Sequence, residues 1–142
     1  MTVKTKPFRD QHDKILEITR KIARFLIDNE ELSANSNHVN KLLADLSRNL
    51  QIHLTLEDTA LYPIICITDD AEMRELAEKY KTEMGDIKKL CVEYFEKWQS
   101  SFKIKSNPMG FIKETNTLFN LLNKRIDLEN NELYKRIDEL FK

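Results

Sequence analysis

Glycine and proline are scarce in this chain, with 2 and 3 copies in 142 residues. A β-sandwich or barrel needs turn residues about every 8–12 positions, so the scarcity points away from strands and toward long helices. Cysteine is scarce too. Cys66 and Cys91 stand far apart and form no C-x-x-C pair. They read as two reduced thiols of a cytoplasmic protein, not as a disulfide framework or a thiolate metal cluster. No apolar run reaches the roughly 18 residues of a membrane-spanning helix. Met1 to Lys6 hold no apolar stretch of the kind a secretory signal needs. Excess charge is also missing: 23 Lys and Arg face 24 Asp and Glu, for a net charge of −1. That leaves no basic footprint for nucleic acid. No Ser/His/Asp set, phosphate-binding glycine loop or dinucleotide fingerprint is present, so nothing marks the chain as an enzyme.

What remains is a helical pattern. Hydrophobic residues make up 41% of the chain and charged residues 33%, which suits one domain over residues 1–142 with a real core and solvated helix faces. Four segments carry apolar residues at spacings of three and four. The first runs from about 8 to 29, with Phe8, His12, Ile15, Thr19, Ile22 and Leu26 on one stripe. The second runs from about 37 to 65 and continues its stripe through His53, Glu57, Ala60 and Ile64. The third, about 70 to 102, places Met73, Ala77, Tyr80, Met84, Ile87, Cys91, Tyr94 and Trp98 together. The fourth, about 108 to 141, places Phe111, Leu118, Leu122, Arg125, Glu129 and Ile137. Ser33 to Asn37 reads as the first break. Thr68 to Asp70 can cap the third helix, and Ser106 to Pro108 open the fourth. Short connections between long helices predict an all-α, antiparallel up-down-up-down four-helix bundle.

The halves repeat. Leu46, Leu50, Leu56, Glu57, Leu61, Tyr62 and Ile65 recur 72 residues later as Leu118, Leu122, Leu128, Glu129, Leu133, Tyr134 and Ile137. This predicts a pseudo-twofold axis relating residues 1–70 to 73–142. The inward polar positions break the symmetry: His12 is matched by Met84 and His53 by Arg125. In an antiparallel pair, residues equidistant from the turn lie level, because each residue rises about 1.5 Å. By that rule His12, His53, Met84 and Arg125 form one layer. Phe8, Glu57, Tyr80 and Glu129 form the next.

Two imidazoles and two carboxylates therefore converge. A carboxylate buried without a counter-charge costs several kcal/mol, on the order of the ion-desolvation penalty. Iron, manganese or zinc held by His12, His53, Glu57 and Glu129 would supply that charge. The Arg125 guanidinium could supply it instead. Tyr80 shares the carboxylate layer and is placed to hydrogen-bond Glu57 or Glu129. His38 lies about 22 Å along the helix from His53, near the first turn and exposed. Gly85 marks either a close helix approach or a local bulge. A haem between His12 and Met84 needs a gap that the apolar stripes do not leave.

The stretches FRDQHDKILEI, QIHLTLEDTALYPII and RIDLENNELYKRI resemble the hemerythrin-like, or HHE cation-binding, domain. The segment with Glu57, Leu61, Tyr62 and Pro63 resembles that family's Leu-aromatic-Pro ending of the second helix. Such proteins hold a non-haem di-iron centre in a four-helix bundle. Some carry O₂, and others serve in oxygen, nitric oxide or iron sensing, or in repair of iron centres. The resemblance makes His12 and His53 the histidine ligands of one iron, and Glu57 and Glu129 the bridging carboxylates. Met84 and Arg125 stand where two histidines of the second iron are expected. The resemblance thus implies one iron ion rather than two, and reversible O₂ carriage that draws an electron from each of two irons is not expected. The competing reading is a metal-free bundle that serves as a protein-interaction or regulatory module. The first reading names a metal ion, with O₂ or NO, as partner. The second names a protein partner or another copy of the chain.

Overall fold

The computed structural model describes residues 5–141, so the signal-peptide reading of Met1 to Lys6 lies mostly outside them. Among the described residues every regular element is helical, as the missing turn residues required. Helix α1 spans Lys6–Ala23, α2 Asn29–Ala34 and α3 Ser36–Leu56. A π-helical turn, Glu57–Leu61, leads into α4, Tyr62–Cys66. Helix α5 spans Ala71–Lys97, α6 Ser101–Ser106 and α7 Pro108–Leu128. A second π-helical turn, Glu129–Leu133, leads into α8, Tyr134–Leu140. No helix among the described residues is long and apolar enough to cross a membrane.

The 72-residue repeat is written into the backbone. The pairs α2 and α6, α3 and α7, and the two π turns all start 72 positions apart. Two boundaries differ from the sequence reading. The first helix stops at Ala23, not near residue 29, and the third stops at Lys97, not near 102. In each case a new N-cap takes over. Asp28 accepts a hydrogen bond from the Glu30 N–H (2.9 Å), and Ser100 from the Lys103 N–H (3.2 Å). Each cap starts a short separate helix. The expected caps are in place for the long helices: Asp70 accepts from the Met73 N–H (3.0 Å) and Asn107 from the Gly110 N–H (3.1 Å).

The π turns correct the second stripe. It was expected to continue through Ala60 and Ile64. Instead Ala60 is exposed and Ile64 only half-buried, while Leu61, Tyr62 and Ile65 are buried. A π turn holds one residue more than an α turn, so every side chain after it rotates by about 100°.

Cross-helix contacts set the directions. His12 meets His53 and Phe25 meets His38, so α1 and α3 run antiparallel. Tyr94 meets Thr115 while Tyr80 reaches Leu128, so α5 and α7 do the same. Thr5 bonds Asp138 while His12 bonds Asn130, bringing α1 against the α7–α8 rod. The apolar core comes in two clusters. The larger holds Ile15, Leu46, Leu50, Met84, Leu118 and Leu122; the smaller holds Phe8, Leu61, Tyr62, Tyr80, Leu133 and Tyr134. The inward polar residues belong to neither cluster and lie between them in register.

Gly85 marks neither a close approach nor a bulge. A Cβ there would meet nothing within 4 Å, and the π turns lie elsewhere. Gly85→Ala should therefore stabilise the protein by about 0.5–1 kcal/mol in denaturant unfolding. Gly110→Ala should destabilise it, because its Cβ would strike the Asn107 side chain that caps α7.

Candidate metal centre

The polar layer is assembled from three rods: α1, α3 with its π turn and α4, and α7 with its π turn and α8. His12 sits mid-way along α1, and His53 in the last turn of α3. Glu57 and Glu129 open the two π turns, and Arg125 occupies the last turn of α7. All five are buried, His12 completely. His12 Nε2 lies 3.0 Å from His53 Nε2 and 2.9 Å from Glu129 Oε1. His53 Nε2 lies 3.8 Å from Glu129 Oε1 and 3.3 Å from Glu57 Oε1. One ligand atom each from His12, His53 and Glu129 falls within 4.8 Å of the others. Glu57 stands at the edge of that group, on the His53 side.

The far side of each imidazole decides what the near side can do. His12 Nδ1 lies 2.8 Å from Asn130 Oδ1, and His53 Nδ1 lies 2.8 Å from Gln11 Oε1. An amide oxygen only accepts, so each Nδ1 carries the proton and donates it. In the neutral form of each ring, Nε2 then holds a lone pair, aimed at the other Nε2 and at a carboxylate oxygen. A single proton can serve only one of these contacts. A cation at their convergence serves all of them, and a second-nitrogen hydrogen bond of this kind is what orients a ligating histidine. Glu57 Oε1 and Glu129 Oε2 are also buried without hydrogen-bond partners. The donor set therefore fits a divalent metal of borderline softness.

Burial and mutual repulsion split the two carboxylates. Glu57 is pushed well above the ordinary carboxylate value, by burial first and then by the charge of Glu129. Burial also works to raise Glu129, but the adjoining His12 and His53 rings and the Arg125 charge outweigh it and hold the group down at about 2. Burial lowers the pKa of His53, keeping it neutral. Without a metal the layer thus holds its proton on Glu57 and its negative charge on Glu129.

Arg125 supports that charge from one side. Its Nε lies 3.4 Å from Glu129 Oε2, as the charge-balance argument required, but no contact joins it to Glu57. The other guanidinium nitrogens turn away. Nη2 donates to the Tyr80 carbonyl (2.6 Å) and Nη1 to the Glu83 carboxylate (3.3 Å). Tyr80 departs from the sequence reading. Its ring lies under the guanidinium, with Cζ 4.4 Å from the centroid, and its hydroxyl donates to the Leu128 carbonyl (3.2 Å), not to a carboxylate. The expected role falls to Tyr134, whose hydroxyl donates to Glu57 Oε2 (2.7 Å) and lies 3.4 Å from His12 Nε2. Met84 is buried among apolar side chains. His38 is exposed at the other end of α3, edge-on to Phe25 at 5.5 Å.

Sequence reasoning missed Gln11, Asn130 and Tyr134. Gln11 and Asn130 adjoin His12 and Glu129 in the chain, but each serves a histidine on another rod, and no local pattern shows that crossing. Tyr134 did carry a signal, since it recurs with Tyr62 in the repeat.

Arg125→Ala should destabilise the metal-free protein by about 3–5 kcal/mol, the usual cost of removing one partner of a buried charge pair, with divalent metal recovering part of the loss. Denaturant unfolding with and without metal checks both. The carboxylates predict opposed pH slopes. The stability from Glu129 is present above 4.5 and lost as pH falls toward about 2. That from Glu57 is present in full below 4.5 and lost as pH rises toward its raised folded value. Metal-free Glu57→Gln should therefore be more stable than the parent at neutral pH, and the gain should vanish below the ordinary carboxylate range.

Comparison with known proteins agrees with this geometry. No curated protein and no solved structure matches the chain. The family model described as the hemerythrin HHE cation binding domain matches residues 4–137, nearly the full length. A helical bundle with a buried His/His/Glu convergence, matched over that length, belongs to the hemerythrin HHE cation-binding family.

Proposed function

We propose that the chain binds one iron ion through His12, His53, Glu57 and Glu129, and serves as a small module that senses or handles oxygen, nitric oxide or iron. The observation that carries this reading is the pair of facing imidazoles. Their Nε2 atoms lie 3.0 Å apart beside Glu129, and their Nδ1 atoms are held by Asn130 and Gln11. Family membership supports a metal cation. The choice of one ion over two rests on Met84 and Arg125, which offer no imidazole in the second half.

The chain's own residues divide the work. His12 and His53 supply neutral nitrogen donors, and Glu129 an ionised oxygen. Glu57 gives up its proton when it ligates, so metal uptake releases about one proton and tightens as pH rises. Tyr134 holds the freed Glu57 oxygen in place. The two apolar clusters on either side exclude water, which strengthens each of these electrostatic contacts. Bound iron would supply a redox-active Lewis acid with coordination positions left open to a small ligand.

The second reading, a metal-free bundle acting as an interaction module, is favoured by Arg125 standing 3.4 Å from Glu129, where it already offsets one carboxylate. Metal analysis after anaerobic loading with ferrous iron separates the two. The expected result is one iron per chain, lost in His53→Ala and kept in Met84→Leu. Arg125→His, which restores a His-x-x-x-Glu pair to the second half, should move the occupancy toward two. A parent protein that retains no iron after gel filtration would leave the interaction module as the function.

A further inference from the structure

Each of the four proposed ligands rests against a further side chain, and none of those side chains is negative. His12 Nδ1 faces the Asn130 side-chain oxygen and His53 Nδ1 the Gln11 side-chain oxygen, both at 2.8 Å. Glu57 Oε2 accepts from the Tyr134 hydroxyl at 2.7 Å. Glu129 Oε2 lies 3.4 Å from Arg125 Nε, on a side chain only 4% exposed. The carboxylate that also reaches Arg125, Glu83, is 48% exposed and so screened by water.

The two amides are informative because a carboxylate could take either place with almost no change of shape. Asp is a near-isostere of Asn, and Glu of Gln. Each would keep an oxygen to accept the Nδ1 proton. A carboxylate behind a ligating histidine also raises its basicity, and a more basic nitrogen favours the more highly charged ion. A neutral amide orients the ring without that push. Gln11 and Asn130 are half-buried, so a charge placed there would be felt at the ligands.

Arg125 acts in the same direction through Glu129. Two carboxylates balance a divalent ion, which leaves the guanidinium charge in excess. Oxidation of the ion would add a second positive charge beside it. The layer lies between two apolar clusters, where like charges repel more strongly than in water. The guanidinium cannot shed its proton to relieve that repulsion.

We propose that Gln11, Asn130 and Arg125 are positioning residues that fix the charge of the bound ion, holding iron in its ferrous form by raising the Fe(III)/Fe(II) potential. The proposal rests on the one-iron reading and deepens it. It makes the module a holder of divalent iron that resists one-electron oxidation, with Arg125 opposing oxidation from the position where the repeat sets it against His53.

The test is a mediated redox titration of the full chain loaded with ferrous iron under argon. The ferric fraction is read by electron paramagnetic resonance, and iron content is measured for each sample. Gln11→Glu and Asn130→Asp should each raise the ferric-to-ferrous ratio at a given potential by about tenfold, a drop of about 59 mV for one electron. Both should bind zinc, which has no such couple, no more weakly than the parent. Arg125→Gln should lower the potential likewise, and Arg125→Lys should restore it. If Arg125→Gln does not fold, the two amide variants decide alone. An unchanged or raised potential in either amide variant overturns the proposal while leaving the one-iron reading intact. A lowered potential with weaker zinc binding also overturns it, since that marks a distorted site. A parent protein that takes up no iron overturns both.

Discussion

Two carboxylates buried in one water-free layer set the terms for everything around them. Glu57 and Glu129 lie between two apolar clusters, in surroundings where like charges repel strongly and an isolated charge is costly. The layer answers in three ways. One carboxyl keeps its proton. The other lies against the imidazoles of two histidines. A guanidinium is placed against it from the second half. Each answer serves the metal-free state, and a metal would replace the first two.

The internal repeat explains why the layer is where it is, and its asymmetry explains what it can hold. Duplicated helices bring duplicated glutamates to one level, since corresponding elements start 72 residues apart. Only the first half carries imidazoles, and they meet the glutamates of both halves. The second half offers a thioether, which packs as core, and a guanidinium, which cannot lose its charge. The same framework therefore presents lone pairs on one side and donors on the other.

The π turns do a separate job. Each begins at a buried glutamate and ends just before a tyrosine. The extra residue rotates the following segment, so that Leu61, Tyr62 and Ile65, and their counterparts Leu133, Tyr134 and Ile137, face inward. Without that rotation neither tyrosine would reach the layer. The Tyr134 bond to Glu57 and the unpartnered Tyr62 hydroxyl both follow from one inserted residue per half.

The sequence by itself determined the helical class, the repeat, the level of the layer, and the convergence of His12, His53 and Glu129. These follow from short-range periodicity and from a fixed rise per residue, which numbering alone can carry. It also determined that Arg125 would meet a buried carboxylate, because charge balance in a core leaves little choice. Only the tertiary structure decided the finer chemistry. The tautomer of each histidine depends on an amide from another rod, Asn130 for His12 and Gln11 for His53. Tyr80 turned to the Leu128 carbonyl because the Arg125 guanidinium stacks on its ring, and Tyr134 took the place beside Glu57 because a π turn rotated it there. Such pairings depend on side-chain direction at the scale of one hydrogen bond. A helical pattern fixes which face a residue occupies, but not which of several partners on that face it meets.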